Sequence, residues 1–208
     1  MSEAARALSI AVALAVSVTT GQSQALRPAP RLSKADGFSI GVFGASRAFQ
    51  STVDGERGSM LTGTSYGGVI HVGASPHAGI ALRVQRGTLK NGDPETTFAQ
   101  ADVTFRYTFR EDRSLFRPFF DLGVAGYAER TQLQLGNLEQ RAGFLTLALG
   151  GQVHLSRDVA LEVVWSAAGG TITGSRFGGR DIGVATNTQG AGGLSLGLVW
   201  HPTFARSR

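Results

Sequence analysis

A serine-containing glycine string is the first feature of the sequence with a chemical meaning. Residues 63–67 read GTSYG and match the Gly-x-Ser-x-Gly string in which serine hydrolases hold their nucleophile. That chemistry requires a strand, a sharp turn and a helix around the serine. No helical pattern follows residue 67, so the string predicts glycines at the entry to a strand rather than a nucleophile.

A second candidate consists of His154, Ser156 and Glu162. A hydroxyl nucleophile, an imidazole base and an orienting carboxylate are the groups of a catalytic triad. His154, however, falls on the polar face of an alternating segment, and Ser156 lies in a short connection. We expect His154 to belong to a polar network inside the fold, and catalysis by the pair is the alternative.

No metal or cofactor site is expected. The chain contains no cysteine, which excludes disulfides, thiolate metal ligands, iron–sulfur clusters and thiol catalysis. The remaining histidines, His71, His77 and His201, are scattered, and no pair has the spacing of metal ligands. The sequence also lacks a phosphate-binding loop, a dinucleotide fingerprint and a calcium loop.

Length and composition are those of one folded domain. Of the 208 residues, 29 are glycine, and the hydrophobic fraction is 42% against 17% charged residues, which is not the balance of a disordered chain. The formal net charge is +5. Because the basic residues are dispersed along the chain, nucleic acid is not an expected partner.

The first 25 residues have the organisation of a secretory signal peptide. An apolar run covers residues 8–18, and the sequence SQA at residues 23–25 predicts cleavage after Ala25. Residues 26–36 then form a periplasmic lead-in. No later stretch contains 18 consecutive apolar residues, so no transmembrane helix is expected. Such a chain is either a soluble domain or a barrel that crosses a membrane on strands.

The mature chain is patterned with a period of two. In residues 97–110 the odd positions include Val103 and Phe105, and the even positions include Asp102 and Arg106. This alternation puts apolar and polar side chains on opposite faces of a strand. Seven further segments repeat it. The sequence therefore predicts an all-β fold, an eight-stranded antiparallel up-and-down transmembrane β-barrel.

The predicted connections alternate in length along the chain. The short ones are residues 75–77, 111–114 and 156–158. The long ones are residues 49–63, 87–95, 131–140 and 169–189. In an up-and-down sheet this alternation places every long connection at one end, as in bacterial outer-membrane barrels.

Alternation alone does not decide which face is outside. The apolar stripes have the length of an outer-membrane apolar band, and the polar face lacks lysine in the strand centres, which favours lipid outside and charges inside. The predicted lumenal network consists of Arg83, Asp102, Arg106, Arg117, Asp121 and Glu162. The predicted interfacial girdle consists of Tyr107, Phe109, Phe116, Phe120 and Trp200.

With these features the chain resembles the small outer-membrane β-barrel family, which includes opacity-type proteins and the barrel half of outer-membrane protein A. The resemblance rests on pattern and covers residues 37–200, with the barrel extended to residue 204 and a tail at residues 205–208. It implies a place in the cell outer membrane, periplasmic N and C termini, and the barrel assembly machinery as a partner. Family members end in an aromatic residue, for which Trp200 and Phe204 are the candidates, although Pro202 and the tail depart from that pattern.

We expect a structural or surface-interaction role through the long loops, without catalysis. Binding candidates in the longest loop are Arg176, Phe177, Arg180 and Asp181. A flexible loop without a partner is an equal alternative there, and the sequence does not identify an external partner. Arginines near strand ends, among them Arg47, Arg86 and Arg130, are candidates for contacts with outer-membrane lipid and the phosphates of lipopolysaccharide.

Three other functions remain open. A secreted, soluble lipocalin-like barrel would turn the apolar face inward around an apolar ligand. A lipid A-modifying enzyme would use His154 and Ser156, since outer-membrane lipid A deacylases are eight-stranded barrels with a His-x-Ser pair. A narrow pore would require a continuous path through the barrel, whose interior is normally filled at this strand number.

Overall fold

The computed structural model describes residues 37–53, 56–75, 77–90, 94–109, 115–156, 158–183 and 187–202. The predicted signal peptide at residues 1–25, the lead-in at residues 26–36 and the tail at residues 205–208 lie outside these residues and remain predictions. Among the residues described, none belongs to a helix long and apolar enough to cross a membrane.

Eight long strands form the described part of the chain. They are β1 Phe38–Val53, β2 Leu61–Gly73, β3 Ala78–Lys90, β4 Thr96–Thr108, β5 Phe116–Leu133, β6 Gly136–His154, β7 Val159–Phe177 and β8 Asn187–Trp200. Two short strands, Glu56–Arg57 and Arg180–Asp181, pair beside β1 and β7.

The eight strands close into a barrel. Each strand pairs antiparallel with the next, and β8 pairs with both β7 and β1. At the closing seam Trp200 lies opposite Ile40 of β1 and Val159 of β7. Closure gives every strand two neighbours, so the backbone hydrogen bonds are made within the wall, as a hydrocarbon environment demands. The predicted eight-stranded antiparallel barrel is confirmed.

Apolar side chains point outward and charged ones inward. Val42 and Leu145 are 67% and 70% exposed, whereas Arg106 and Glu162 are 6% and 5% exposed. The parity of each strand explains this, since consecutive side chains leave opposite faces. A lipocalin-like arrangement would bury the leucines, so that alternative is wrong.

The predicted difference in connection length is mostly a difference in strand length. β5 and β6 contain 18 and 19 residues and are joined by a two-residue turn, so the predicted connection at residues 131–140 is wrong. β7 likewise continues to Phe177, inside the predicted loop 169–189. Both faces of these extensions carry polar residues, so the sequence there does not alternate between apolar and polar side chains. The backbone hydrogen bonds between the strands continue nevertheless. β5, β6 and β7 therefore project beyond the 13-residue strands β2, β3 and β4.

The outward apolar wall predicts a depth-dependent response to charge. Replacing Leu122, an outward residue midway along the apolar part of β5, by arginine should destabilise the folded barrel in lipid vesicles by about 2–4 kcal/mol. Urea unfolding of the vesicle-inserted protein measures this. Gln132→Arg, outward on the projecting part of the same strand, is the matched control and should change little. Equal effects of the two variants would contradict a lipid-facing wall at Leu122.

Candidate functional site: the barrel interior

Arg106 of β4 forms the centre of a buried ion-pair network. Its Nε and Nη2 donate to Asp121 Oδ1 and Oδ2 of β5 at 2.7 and 2.8 Å, a bidentate pair. Its Nη1 donates to Glu162 Oε2 of β7 at 2.8 Å. Charge-assisted bonds with this geometry are short and directional, so Arg106 ties three strands together across the lumen.

Arg83 of β3 completes the network from the other side. Its Nη2 lies 2.7 Å from Glu162 Oε1 and 3.6 Å from Asp121 Oδ2, and Gln152 Nε2 donates to Glu162 Oε2 at 2.8 Å. Two guanidinium groups thus face two carboxylates. The pairing compensates the cost of removing four charges from water.

Two predicted network residues lie elsewhere in the interior. Asp102 sits further along β4, where its Oδ1 accepts from Gln100 Nε2 at 2.6 Å. Arg117 of β5 is buried near the end of the barrel that carries the connections β2–β3, β4–β5 and β6–β7, which we call the turn end. The structure therefore brings together four of the six predicted residues and places the other two on opposite sides of that group.

Arg47 was predicted near a strand end, in reach of lipid, and this prediction is wrong. Arg47 is buried inside the barrel, where its Nε and Nη2 donate to Gln85 Oε1 at 3.1 and 2.7 Å and its Nη1 donates to Ser166 Oγ at 2.8 Å. β1 continues six residues beyond Arg47, to Val53, so the residue lies in the body of the strand. Arg47 occupies an odd-numbered position of β1, and the side chains at the odd-numbered positions of this strand point into the barrel.

Two phenylalanines that the sequence reading missed support the guanidinium groups. The Arg106 guanidinium lies 3.5 Å from the ring centroid of Phe119, and that of Arg83 lies 6.0 Å from the ring of Phe43. Gly150 faces the Phe119 ring so closely that a Cβ there would collide with it. The glycine therefore leaves space for an aromatic ring that makes a cation–π contact with a buried guanidinium group.

An aromatic plug fills the lumen on the other side of the network, away from the turn end. We define it as Phe49, Phe98, Tyr127 and Phe144; the ring centroids of Tyr127 lie 4.9, 5.7 and 5.4 Å from the other three. Tyr127 Oη also donates to Glu129 Oε2 at 2.6 Å. The signal was present in the sequence, because Phe98 shares its parity with the inward Asp102.

The interior is therefore layered. Along the inner face of β4, Arg106 is followed by Asp102 and then by Phe98, which gives the order network, polar middle layer and plug. A cavity of about 30 Å³ lies in the middle layer, beside Arg47 and Asp102, and has room for about one or two water molecules. A larger cavity of about 530 Å³ lies between the network and the turn end.

The candidate catalytic groups have structural partners. Ser65 of the GTSYG string lies within β2, is buried, and its Oγ donates to Gln85 Oε1 at 3.1 Å. Ser156 Oγ accepts from the backbone N–H groups of Asp158 and Val159 at 3.3 and 3.1 Å, which is a turn-stabilising role. Glu162 belongs to the network described above.

The histidines lie at or near the turn end. The rings of His154 and His201 are 5.3 Å apart, and His71 Nε2 lies 4.0 Å from Glu162 Oε2. Burial, followed by the positive charge of Arg117, lowers the pKa of His201, just beyond β8, to about 4. In the described part of the chain, no three His, Asp or Glu side chains are placed to hold a metal ion.

The predicted girdle residues are outward and near the turn end. Tyr107 and Phe109 make an edge contact at 5.4 Å, and Phe120 lies opposite Tyr107 on β5. Phe116 and Trp200 are also exposed. Two more outward aromatics outside the predicted girdle, Tyr66 and Trp165, lie further from the turn end on β2 and β7 and are exposed as well.

The predicted loop-binding residues form a hairpin rather than an open loop. Arg176 and Phe177 end β7, and Arg180 and Asp181 pair back onto them across Gly178-Gly179. Both glycines have positive φ, 57° and 83°, which the turn requires. Arg176 Nε donates to Asp181 Oδ1 at 2.9 Å, and this contact raises the pKa of Arg176.

Comparison with known proteins defines the class of the fold. No protein-family model matches the chain, and no curated protein matches it. Among solved structures, the Neisserial surface protein A superposes with a TM-score of 0.58 at 13% identity, over 78% of this chain and 97% of that chain. The Ail protein of Yersinia pestis matches with a TM-score of 0.47 at 12% identity, over 79% and 99%. OprG of Pseudomonas aeruginosa gives 0.46 at 14%, over 80% and 96%.

The chain therefore has the fold of the small eight-stranded outer-membrane β-barrels, as the sequence pattern indicated.

The network makes a prediction for Glu162. Glu162→Gln leaves Arg83 and Arg106 with one carboxylate between them, so we expect a loss of about 3–5 kcal/mol in the free energy of unfolding. Urea unfolding followed by tryptophan fluorescence measures it. Asp181→Asn, which breaks the exposed pair with Arg176, is the matched control and should leave stability nearly unchanged. A Glu162→Gln barrel as stable as the parent would contradict the proposed importance of this network.

Proposed function

We propose that the protein resides in the cell outer membrane as a barrel with a structural or surface-interaction role and without catalysis. The observation that carries the proposal is the continuous outward wall of apolar residues around a charged, filled interior. The projecting ends of β5, β6 and β7 form the extracellular side, because outer-membrane barrels extend there and turn tightly in the periplasm. Both chain termini then lie in the periplasm.

The interior supports a closed barrel rather than a pore. The network spans the lumen from β3 to β7, and the aromatic plug fills a second level with rings in mutual contact. A hydrated ion would have to separate buried ion pairs and then pass an apolar layer. Each step carries a large desolvation cost.

The surface role is assigned to the projecting hairpins. The tip formed by Arg176, Phe177, Arg180 and Asp181 presents two positive charges, one negative charge, an aromatic ring and a glycine turn to solvent. Apolar side chains at Leu135 and Ile182 are exposed on the same projecting side. Such a mixture suits contact with a macromolecule, whose identity the chain does not specify.

A cell-level experiment tests the proposal. After fractionation the protein should appear with outer membranes, and unheated samples should migrate differently on a detergent gel from boiled samples, because a closed barrel resists detergent until it is heated. Deleting the tip at residues 176–181 should leave fractionation and heat-dependent migration unchanged. Recovery in the soluble periplasmic fraction, or migration independent of boiling, would contradict membrane residence.

We also propose contacts with lipopolysaccharide through an arginine belt. The belt is made of outward, exposed arginines that follow the lipid-facing part of their strands: Arg86, Arg130 and Arg141. On β3, Arg86 comes two positions after the outward Val84. Side chains at this height reach the headgroup level, where lipopolysaccharide carries phosphates that guanidinium groups bind well.

Replacing the three belt arginines by glutamine should weaken lipopolysaccharide binding by about 1 kcal/mol for each arginine. Copurified lipopolysaccharide and the rise in Tm on adding it are the measurements. Arg176→Gln, at the tip and away from the apolar wall, serves as the control and should bind normally. Unchanged copurification in the triple variant would remove the belt from the proposal.

A further inference from the structure

A layer of polar residues lines the lumen beyond the aromatic plug, on the side of the projecting hairpins. We call it the mouth layer and define it as Glu129, Gln140, Ser175 and Gln189, which point inward from the four neighbouring strands β5 to β8. Ser175 and Gln189 are buried, whereas Glu129 and Gln140 keep partial exposure. Tyr127 of the plug precedes Glu129 by two positions, so the mouth layer rests on the rings and opens toward the projecting end.

The carboxylate of Glu129 has no positively charged partner. Its Oε2 accepts from Tyr127 Oη at 2.6 Å, and the Gln189 side chain also hydrogen-bonds to it. Among the residues that the structure describes, no basic side chain pairs with Glu129. By contrast, both carboxylates of the ion-pair network contact guanidinium groups, and Asp102 interacts with Arg47. When ionised, Glu129 therefore places in the lumen a negative charge that no described side chain neutralises.

The unused hydrogen-bonding capacity of the mouth layer consists of acceptors. Gln189 Oε1 is shielded from solvent and has no partner, which is uncommon for a buried polar atom. Because the amide N–H group of Gln189 faces Glu129, this oxygen lies beside the carboxylate. Gln140 lies directly opposite Glu129 on β6. Its Nε2 donates to Ser175 Oγ at 3.4 Å, which leaves its Oε1 as a further acceptor.

We propose that the mouth layer binds the primary ammonium group of a small amine. Such a group brings the positive charge that Glu129 lacks as a partner, and its three N–H donors match the carboxylate and the two amide oxygens. The plug excludes water from one side of the carboxylate, which strengthens its attraction for a cation. A divalent metal ion suits the layer less, because it prefers a fuller set of oxygen ligands than one carboxylate and two amides provide. Only the compartment from which the amine comes, the cell exterior, rests on the orientation proposed above.

Methylammonium chloride is the probe. Purified protein in a nonionic detergent is titrated at constant pH and ionic strength, with sodium chloride as the balancing salt, and side-chain carboxyl resonances are followed by NMR. Glu129 should shift along a saturable curve, whereas Glu139, an exposed carboxylate 3.9 Å from Arg130, should not. Tetramethylammonium, which has the charge but no N–H donor, should bind at least tenfold more weakly. A Glu129 shift that never saturates, or equal binding of the two cations, would overturn the proposal, as would tighter binding of magnesium chloride.

Two variants and a control locate the site, with the side-chain amide resonances of Gln140 as the reporter. Glu129→Gln keeps an acceptor for Tyr127 but removes the charge, and it should weaken methylammonium binding about tenfold or more. Gln189→Leu removes the unpartnered oxygen, should weaken binding less, and is the second variant if Glu129→Gln does not fold. Glu139→Gln makes the same change of charge at an exposed position and should bind like the parent. Parent-like affinity in Glu129→Gln or in Gln189→Leu would overturn the assignment.

Stability separates a binding role of Glu129 from a structural one. Because this carboxylate has no cationic partner, Glu129→Gln should leave the urea midpoint unchanged or raise it, unlike Glu162→Gln. Heat-dependent migration of each variant is recorded in parallel, so failure of the amine site is distinguishable from failure of the barrel itself. A large fall in the urea midpoint of Glu129→Gln would mean that the charge is already neutralised within the fold, and it would overturn the proposal.

Discussion

A strand in this barrel must satisfy its backbone inside the wall while it sends consecutive side chains into two different media. Closure of β8 onto β1 meets the first requirement, because it leaves no unpaired edge in the wall. The second follows from the pleat, which directs Leu145 and Thr146 to opposite sides. The apolar wall, the charged interior and the outward arginine belt all depend on this separation. A shift of one residue in the register of β4 would move its side chains to the opposite face and expose Arg106 on the outside of the barrel.

The interior combines two ways of excluding water. Near the turn end, Arg83 and Arg106 are neutralised by Asp121 and Glu162 and held by hydrogen bonds from several strands. Further along, the aromatic plug replaces charge with packed rings. Buried ion pairs contribute little net stability, but the loss of one partner is strongly destabilising because it leaves the other charge buried and unpaired. Packed rings stabilise the fold because they bury apolar surface. The ion-pair network fixes which strands face each other, and the aromatic plug fills the lumen.

The likeness to solved structures concerns the fold. At 13% identity with the Neisserial surface protein A, the shared architecture transfers no activity to this chain. Function therefore has to be read from this chain's own surfaces. The projecting hairpins and the arginine belt lie on the outside of the barrel, and the mouth layer lies inside its lumen.

The sequence by itself determined the strand count, the antiparallel class and the direction of the apolar face, because alternation in a stretch such as residues 97–110 is a local property of the chain. The inward position of Phe98 was also readable from parity. Other features required the tertiary structure. Arg106 and Glu162 are 56 residues apart, and only closure brings them to 2.8 Å. The continuation of β1 past Arg47 and of β7 to Phe177 depends on hydrogen bonds from neighbouring strands. Those bonds connect backbones and leave no mark on the side-chain pattern, which is why the projecting hairpins emerged only from the fold.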